Sequence, residues 1–336
     1  MLNCCAVTIW YLKNEDECNE AVDAILSYAS FFKSVYIIDN SAEDYSNFAA
    51  RVKNAVYVPN KKNLGIATAL NQGCELAKKD GFEWCMTMDQ DSSFDSEQIA
   101  LYLKLVEENL QDASIKSFSI RQSDVGEQIV SLSKWIRFNI LSPVKKSVKR
   151  TAKCTLPFYR HLRFMRRKFR RELRKKFGKK EVVFAFKKSE FIDQTITSAN
   201  IINLLAWETV GKFDDRLFID EVDNDFCVRL RLNNYKILHF NECYVDHELG
   251  KRWFSLFPKI NYESDFRLFY IFRNLMIENR RYGKLPFVKN YRKEIFSYFK
   301  DYCIFDPHAI THLKIYFRAR KAYKEFIKND PVVSAS

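Results

Sequence analysis

Over its first 90 residues the chain alternates short apolar, β-rich runs with amphipathic stretches, and the runs close on polar residues. Parallel strands need a long return connection, usually a helix, so this alternation points to an open α/β sheet with crossover helices. Residues 4–11 form the first β-rich run, bounded by the polar group at 13–17. Ala21, Ile25 and Ala29 fall on one helical stripe and predict a helix over 19–32. Residues 35–38 read as a buried strand ending at Asp39-Asn40-Ser41, and 56–58 as a third strand. Asn63-Leu64-Gly65 breaks the chain before a helix over 66–79, and the strand at 84–88 runs into Asp89-Gln90-Asp91. Open α/β sheets bind ligands at the carboxyl ends of their strands, so Asp39, Asn63 and Asp89 are expected to be neighbours.

Residues 96–110 carry a helical pattern, after which little order is legible until about 182. A strand follows at 197–203, then a helix at 204–211, an acidic cluster at 218–225, a helix-like stretch at 226–232 and a strand at 236–240 leading to His247. Aromatic residues at helical spacing, Tyr291, Ile295, Tyr298 and Tyr302, then Leu313, Tyr316 and Tyr323, mark the C-terminal part. The expected architecture is a Rossmann-like, three-layer α/β/α domain over 1–250, with a basic, partly helical insert at about 120–182 and a helical, aromatic and basic extension over 251–336.

The net charge of +13 is local: nineteen Lys or Arg lie between Lys134 and Lys180 against the single acid Glu172. Leu162, Met165, Phe169, Leu173 and Phe177 recur every three or four residues inside that run, the spacing of an amphipathic basic helix. Such a strip suits an anionic membrane surface, nucleic acid or plain solvation. No nucleic-acid motif accompanies it, so no nucleic-acid partner is expected and the membrane is preferred over a nucleic-acid-binding α/β protein. Nine scattered cysteines with no C-x-x-C pair argue against a zinc site or a disulfide framework. No apolar run is long enough to cross a bilayer and no signal peptide is legible, so the expected place is the cytoplasm, peripheral to the inner face of the cell membrane.

Asp89 and Asp91 offer hard oxygen ligands suited to Mg²⁺ or Mn²⁺. A D-x-D string is also common in solvated turns; its weight comes from the apolar run Trp84 to Met88, which would deliver two charges into a cleft. Asp220 to Asp225 holds four carboxylates in six residues, either a helix cap or the place of a general base. His247, after a strand, is a candidate nitrogen ligand or simply a packed residue.

The series IIDNS (37–41), NLGIATALNQG (63–73), MDQDS (88–92), FIDEVDNDFCVRL (218–230) and HELG (247–250) resembles the family 2 glycosyltransferases, in particular their rhamnosyltransferase-like branch. The resemblance covers most of residues 4–280. It implies a GT-A fold, a nucleotide-diphosphate sugar donor and a divalent metal, Mg or Mn, on the diphosphate. It also implies donor contacts from Tyr11, Asp39, Asn63, Gly65, Asn71, Asp89 and Arg273, metal ligation by Asp89, Asp91 and His247, and Asp223 as general base with Asp225 as its rival. The chain departs from the family in having Tyr11-Leu12 for Tyr-Asn and Ser198-Ala199 for Ser-Gly. The implied activity is inverting transfer, of rhamnose first and otherwise of galactofuranose or another hexose from a UDP-sugar. The implied acceptor is a glycan or a polyprenyl-linked glycan, in bacterial surface polysaccharide assembly such as O-antigen or capsule.

Overall fold

The computed structural model describes residues 2–124, 188–247, 264–304 and 308–330. The basic insert and most of the HELG motif lie outside the described residues. The described residues all belong to one compact unit. The predicted boundary at 250 is outside the described residues too, and the C-terminal helices belong to the same unit as the sheet.

In the described unit β1 (Cys4–Trp10), β2 (Val35–Asp39), β3 (Ala55–Pro59), β4 (Trp84–Asp89), β5 (Ile115–Asp124), β6 (Ser189–Ile192), β7 (Asn200–Asn203) and β8 (Lys236–His247) form one sheet in the order 3-2-1-4-7-5-8-6. The β1–β4 half is parallel, as the alternation requires. Antiparallel pairing enters at β7, which joins β4 to β5, and again at β6 against β8. Successive residues of a strand point to opposite faces, and β1 shows the result: Cys4, Ala6 and Trp10 enter one core, Cys5, Val7 and Ile9 the other.

The first core is closed by α1 (Glu15–Leu26) and α4 (Ser96–Glu108). The second is closed by α3 (Ile66–Lys79), α5 (Leu204–Thr209) and α6 (Val222–Leu232). A short helix, α2 (Ser46–Ala49), precedes β3. The expected three layers are therefore present. Gly73 of α3 lets that helix lie close to β1, since a Cβ there would fall 2.4 Å from Val7 Cγ1.

α1 starts at Glu15 rather than 19, because Asn14 Oδ1 accepts the Glu17 N–H while Glu17 Oε2 accepts the Lys13 N–H, a reciprocal cap. β8 continues through residues 241–243, which bulge out between its Phe240 and Tyr244 pairings with β5.

α7 (Asp265–Tyr282), α8 (Tyr291–Cys303) and α9 (Ala309–Lys328) make the C-terminal layer. Leu268, Phe272 and Met276 of α7 pack with Tyr302, Cys303, Ile315 and Ala319, while Ile277 of α7 enters the second sheet core. The attachment is also ionic. The Arg281 side chain, without solvent exposure, binds Asp214 at 2.7 Å, Asp225 at 2.9 Å and Asp330 at 2.7 Å. Arg229 adds a bond to Asp225, and Arg216 bonds to Asp214. Burial and the neighbouring Asp225 hold the Glu278 carboxyl well above its usual range, against the pull of Arg281. Asp214, Asp225 and Asp330 face three guanidiniums, which is how so much charge is tolerated inside.

Removing one member leaves its partners buried and uncompensated. Arg281→Met is expected to cost about 3–5 kcal/mol in urea unfolding, the range for breaking a buried ion pair; a loss below 1 kcal/mol would contradict the assigned role.

Candidate active site

The parallel strands deliver polar residues to one edge of the sheet. Trp10 pairs with Asp39 across β1 and β2, and Ile9 with Asp89 across β1 and β4. Asp39 and Asp89 thus flank the end of β1, two strand spacings or about 10 Å apart. The Asp39 carboxylate is buried, one oxygen accepting the Ser41 N–H at 2.8 Å and the other the Tyr57 hydroxyl at 2.7 Å. Burial and that bond push the Tyr57 phenol up, so it remains a donor. Asn40 Nδ2 donates to the Gly65 carbonyl, and Asn63 Oδ1 accepts the Gly65 N–H. Tyr11, half exposed, donates its N–H to Gln90 Oε1 at 2.7 Å, tying the tip of β1 to the D-x-D turn.

That turn closes with the Ser92 N–H on the Asp89 carbonyl. One residue on, Ser93 and Asp246 exchange two backbone hydrogen bonds of 2.9 Å. The end of β8, with His247 next in sequence, is therefore stitched beside Asp89-Gln90-Asp91. Among the described residues no three metal-binding side chains form a cluster.

Opposite the turn lies the acidic segment, whose backbone is unusual. Phe218, Asp220 and Glu221 have φ of 67°, 62° and 63°, left-handed values that side chains with a Cβ adopt at a cost of about 1–2 kcal/mol each. Asn274 of α7, fully buried, holds this shape: its Nδ2 lies 2.9, 2.7 and 2.9 Å from the carbonyls of Leu217, Ile219 and Asp220. Arg273 supports the same turn, with Nη2 on the carbonyls of Arg216 and Leu217 and Nε on Asn274 Oδ1. Arg267 takes the Asp220 carboxylate with its fork. Gly65 meets this loop directly: a Cβ there would lie 2.7 Å from the Phe218 carbonyl, which already accepts the Ile66 N–H.

Two carboxylates in the first turn of α6 have opposite fates. Asp225 is fully buried, with one oxygen bound by Arg281 and the Tyr282 hydroxyl and the other by Arg229. Asp223 is half-buried and accepts the N–H of Asn224. Its carboxyl is pushed up to about 6, first by burial and further by the fields of Asp89 and Asp220, against the pull of Lys289. The link to Asp89 shows that the acidic loop and the β4 tip address one region. Glu221 is pushed up to about 7, chiefly by burial, although Lys289 stands 2.8 Å away.

The family model described as Glycosyl transferase family 2 matches residues 6–175, half of the chain. The chain belongs to glycosyl transferase family 2. Among solved structures this glycosyltransferase resembles S. aureus TarS 1–349 in complex with UDP-GlcNAc, at 12% identity and a TM-score of 0.52, over 96% of this chain and 80% of that one. It also resembles GalNAc-T7 with UDP, GalNAc and Mn²⁺, at 10% identity and a TM-score of 0.52, over 99% of this chain and 58% of that one. At such identities the likeness is one of fold, the GT-A fold. No curated protein matches the chain.

The structure thus brings Tyr11, Asp39, Asn63, Gly65, Asp89, Asp91 and Asp223 to one edge, with the end of β8 alongside. Three other expected residues have internal partners. Asn71 Oδ1 accepts from Trp207 Nε1 and the Phe213 N–H while its Nδ2 donates to the Phe213 carbonyl, fastening α3 to the turn after α5. Arg273 bonds the carbonyls of Arg216 and Leu217 and so braces the acidic loop, and both oxygens of Asp225 are engaged. At Ser198-Ala199, Ala199 has φ 59°, the left-handed shape that glycine takes without strain, so the backbone conformation persists without the glycine. No sequence pattern marks Lys289 or Tyr57; Asn274 stands next to the expected Arg273, and both brace the acidic loop.

Asn274→Ala would take the side-chain donor from the half-buried carbonyls of Ile219 and Asp220, that of Leu217 keeping Arg273, and is expected to lower stability by about 2–4 kcal/mol in urea unfolding. A group whose folded pKa is raised binds more protons folded than unfolded, so stability falls as pH rises from the unfolded value near 4.5 through about 7 for Glu221. Glu221→Gln should flatten that fall, worth roughly 2–4 kcal/mol, in urea melts taken across the window; an unchanged slope would refute the buried, protonated acid.

Proposed function

We propose that this chain transfers a sugar from a nucleotide-diphosphate donor to an acceptor hydroxyl, with inversion, using Asp223 as the general base. The observation that carries the reading is Asp223 itself. It sits in the first turn of α6 beyond a strained, clamped loop, faces the Asp89 tip, and has a proton affinity raised to about 6, near the pH at which a base must work. Asp225, its rival, has no oxygen to spare.

Asp89, Asp91 and His247 are the residues that would hold a divalent cation, Mg²⁺ or Mn²⁺, in this reading, while Asp220 is already paired with Arg267. When bound it would offset negative charge on the departing diphosphate. Tyr11, Asn63 and Gly65 would line the donor, with Asp39 fixing the shape of that wall through Ser41 and Tyr57. The ligands of the two structural neighbours, UDP-GlcNAc in one and UDP with Mn²⁺ in the other, are the precedent for this donor and metal class. Rhamnose is the preferred sugar by resemblance, and galactofuranose or another UDP-linked hexose is the alternative.

The acceptor in this reading is a lipid-linked or polysaccharide glycan of a bacterial surface, presented at the inner face of the cell membrane. Among the described residues no helix is long and apolar enough to cross a membrane. The basic run of residues 134–180 would hold the enzyme to anionic headgroups from the cytoplasmic side.

Release of nucleoside diphosphate from a set of UDP- and dTDP-sugars, with Mn²⁺ or Mg²⁺ and candidate glycan acceptors, tests the reading. Asp223→Asn is expected to lower kcat by about 10²–10⁴-fold, the usual contribution of a general base, while the protein stays folded. Asp91→Ala should remove the metal-dependent rate. Full turnover by either variant would overturn the corresponding assignment.

A further inference from the structure

α9 is a 20-residue helix with two unlike faces. Its inner face, with His312, Ile315 and Ala319 buried, packs on α7 and α8. Along the outer face Ile310, Lys314, Phe317, Lys321, Lys324 and Lys328 follow one another at spacings of three and four, so they form one stripe, and all six are exposed. Ile310 is 77% and Phe317 55% exposed, the two apolar members of an otherwise basic stripe. Arg318 and Arg320 add charge, and Glu325 is the helix's one acid. The stripe runs about 27 Å along the helix axis.

We propose that this outer face of α9 is a docking surface for an anionic lipid bilayer, on which the helix lies flat with Ile310 and Phe317 inserted between the headgroups and the lysines against the phosphates. Charge complementarity selects the partner: four lysines in line match a surface of evenly spread negative charge, and each near such a surface adds attraction. The two apolar residues select lipid over nucleic acid, because an aliphatic isoleucine has no ring to stack on a base but gains by leaving water among acyl chains. The inner face of α9 rests on α7, the helix whose Asn274 and Arg273 brace the acidic loop. A bilayer under α9 would therefore hold the catalytic edge at a fixed height above the lipid. This surface is separate from the basic run at 134–180 and does not depend on the transferase reading.

The test is partitioning of the full chain onto vesicles of phosphatidylcholine containing a third phosphatidylglycerol, titrated with lipid at physiological salt so that a partition coefficient is read. Replacing Lys314, Lys321, Lys324 and Lys328 together by Gln should lower the coefficient by at least a hundredfold, given about fivefold per lysine. The pair Ile310→Ser and Phe317→Ser should lower it by about tenfold or more with the charge unchanged. Both variants keep residues 134–180, so any loss is attributable to α9, and circular dichroism checks that both remain folded. In a third variant, Phe317→Trp, the added indole should be quenched by brominated acyl chains beyond the quenching seen in the parent protein. Coefficients within twofold of the parent for both variants, or an indole at 317 that brominated lipid does not reach, would overturn the proposal. Loss of retention on immobilised RNA with lipid partitioning intact would overturn it too, and would assign the face to nucleic acid.

Discussion

The buried guanidinium of Arg281 is the point through which the sheet, the acidic helix and the C-terminal layer are joined. It draws Asp214 from the turn after α5, Asp225 from α6 and Asp330 from beyond α9 to one buried place. Such a cluster survives only if its carboxylates meet opposite charge, and Arg229 and the partly exposed Arg216 supply more of it beside Arg281. The consequence reaches the site: α6 is anchored by Asp225, and the same helix turn carries Asp223. One carboxylate of the pair is spent on architecture so that the other has a fixed position.

The backbone ahead of α6 has the same logic. Three left-handed residues in four, none of them glycine, form a conformation the chain would not adopt alone. Asn274 holds it by meeting three carbonyls with one amide, and Gly65 packs directly on it because no larger residue fits against Phe218. Strain concentrated between the Gly65 turn and a carboxylate of raised proton affinity is what a preorganised site requires: burial keeps the proton affinity of Asp223 high, and Asp89 and Asp220 add to it.

Much of the parallel half was legible because its signals are local. The helix predicted over 66–79 is α3 with the same bounds, and the strand predicted at 84–88 is β4 with one residue added. β5 escaped because its centre carries Ser117 and Ser119, polar residues buried by pairing with Asn200 and His239, which disguise a central strand as a mixed segment. The start of α1 was read as loop because a capping residue and an acidic first turn look like a turn before the helix is known. At the site, the residues at strand tips could be placed from position alone. The different fates of Asp223 and Asp225, two residues apart, could not: they are set by Arg281 and Tyr282, more than fifty residues downstream.

The proposed transfer requires that the β4 tip, the end of β8 and the acidic loop meet at one divalent cation. Anomalous diffraction at the manganese edge, from crystals grown with a nucleoside diphosphate and Mn²⁺, measures this directly. The expected result is a single strong peak at coordination distance from Asp89 or Asp91 and from His247, with Asp223 near it but not bound to it. A peak held by other residues, or one coordinated by Asp223 itself, would contradict the assignment of ligands and base.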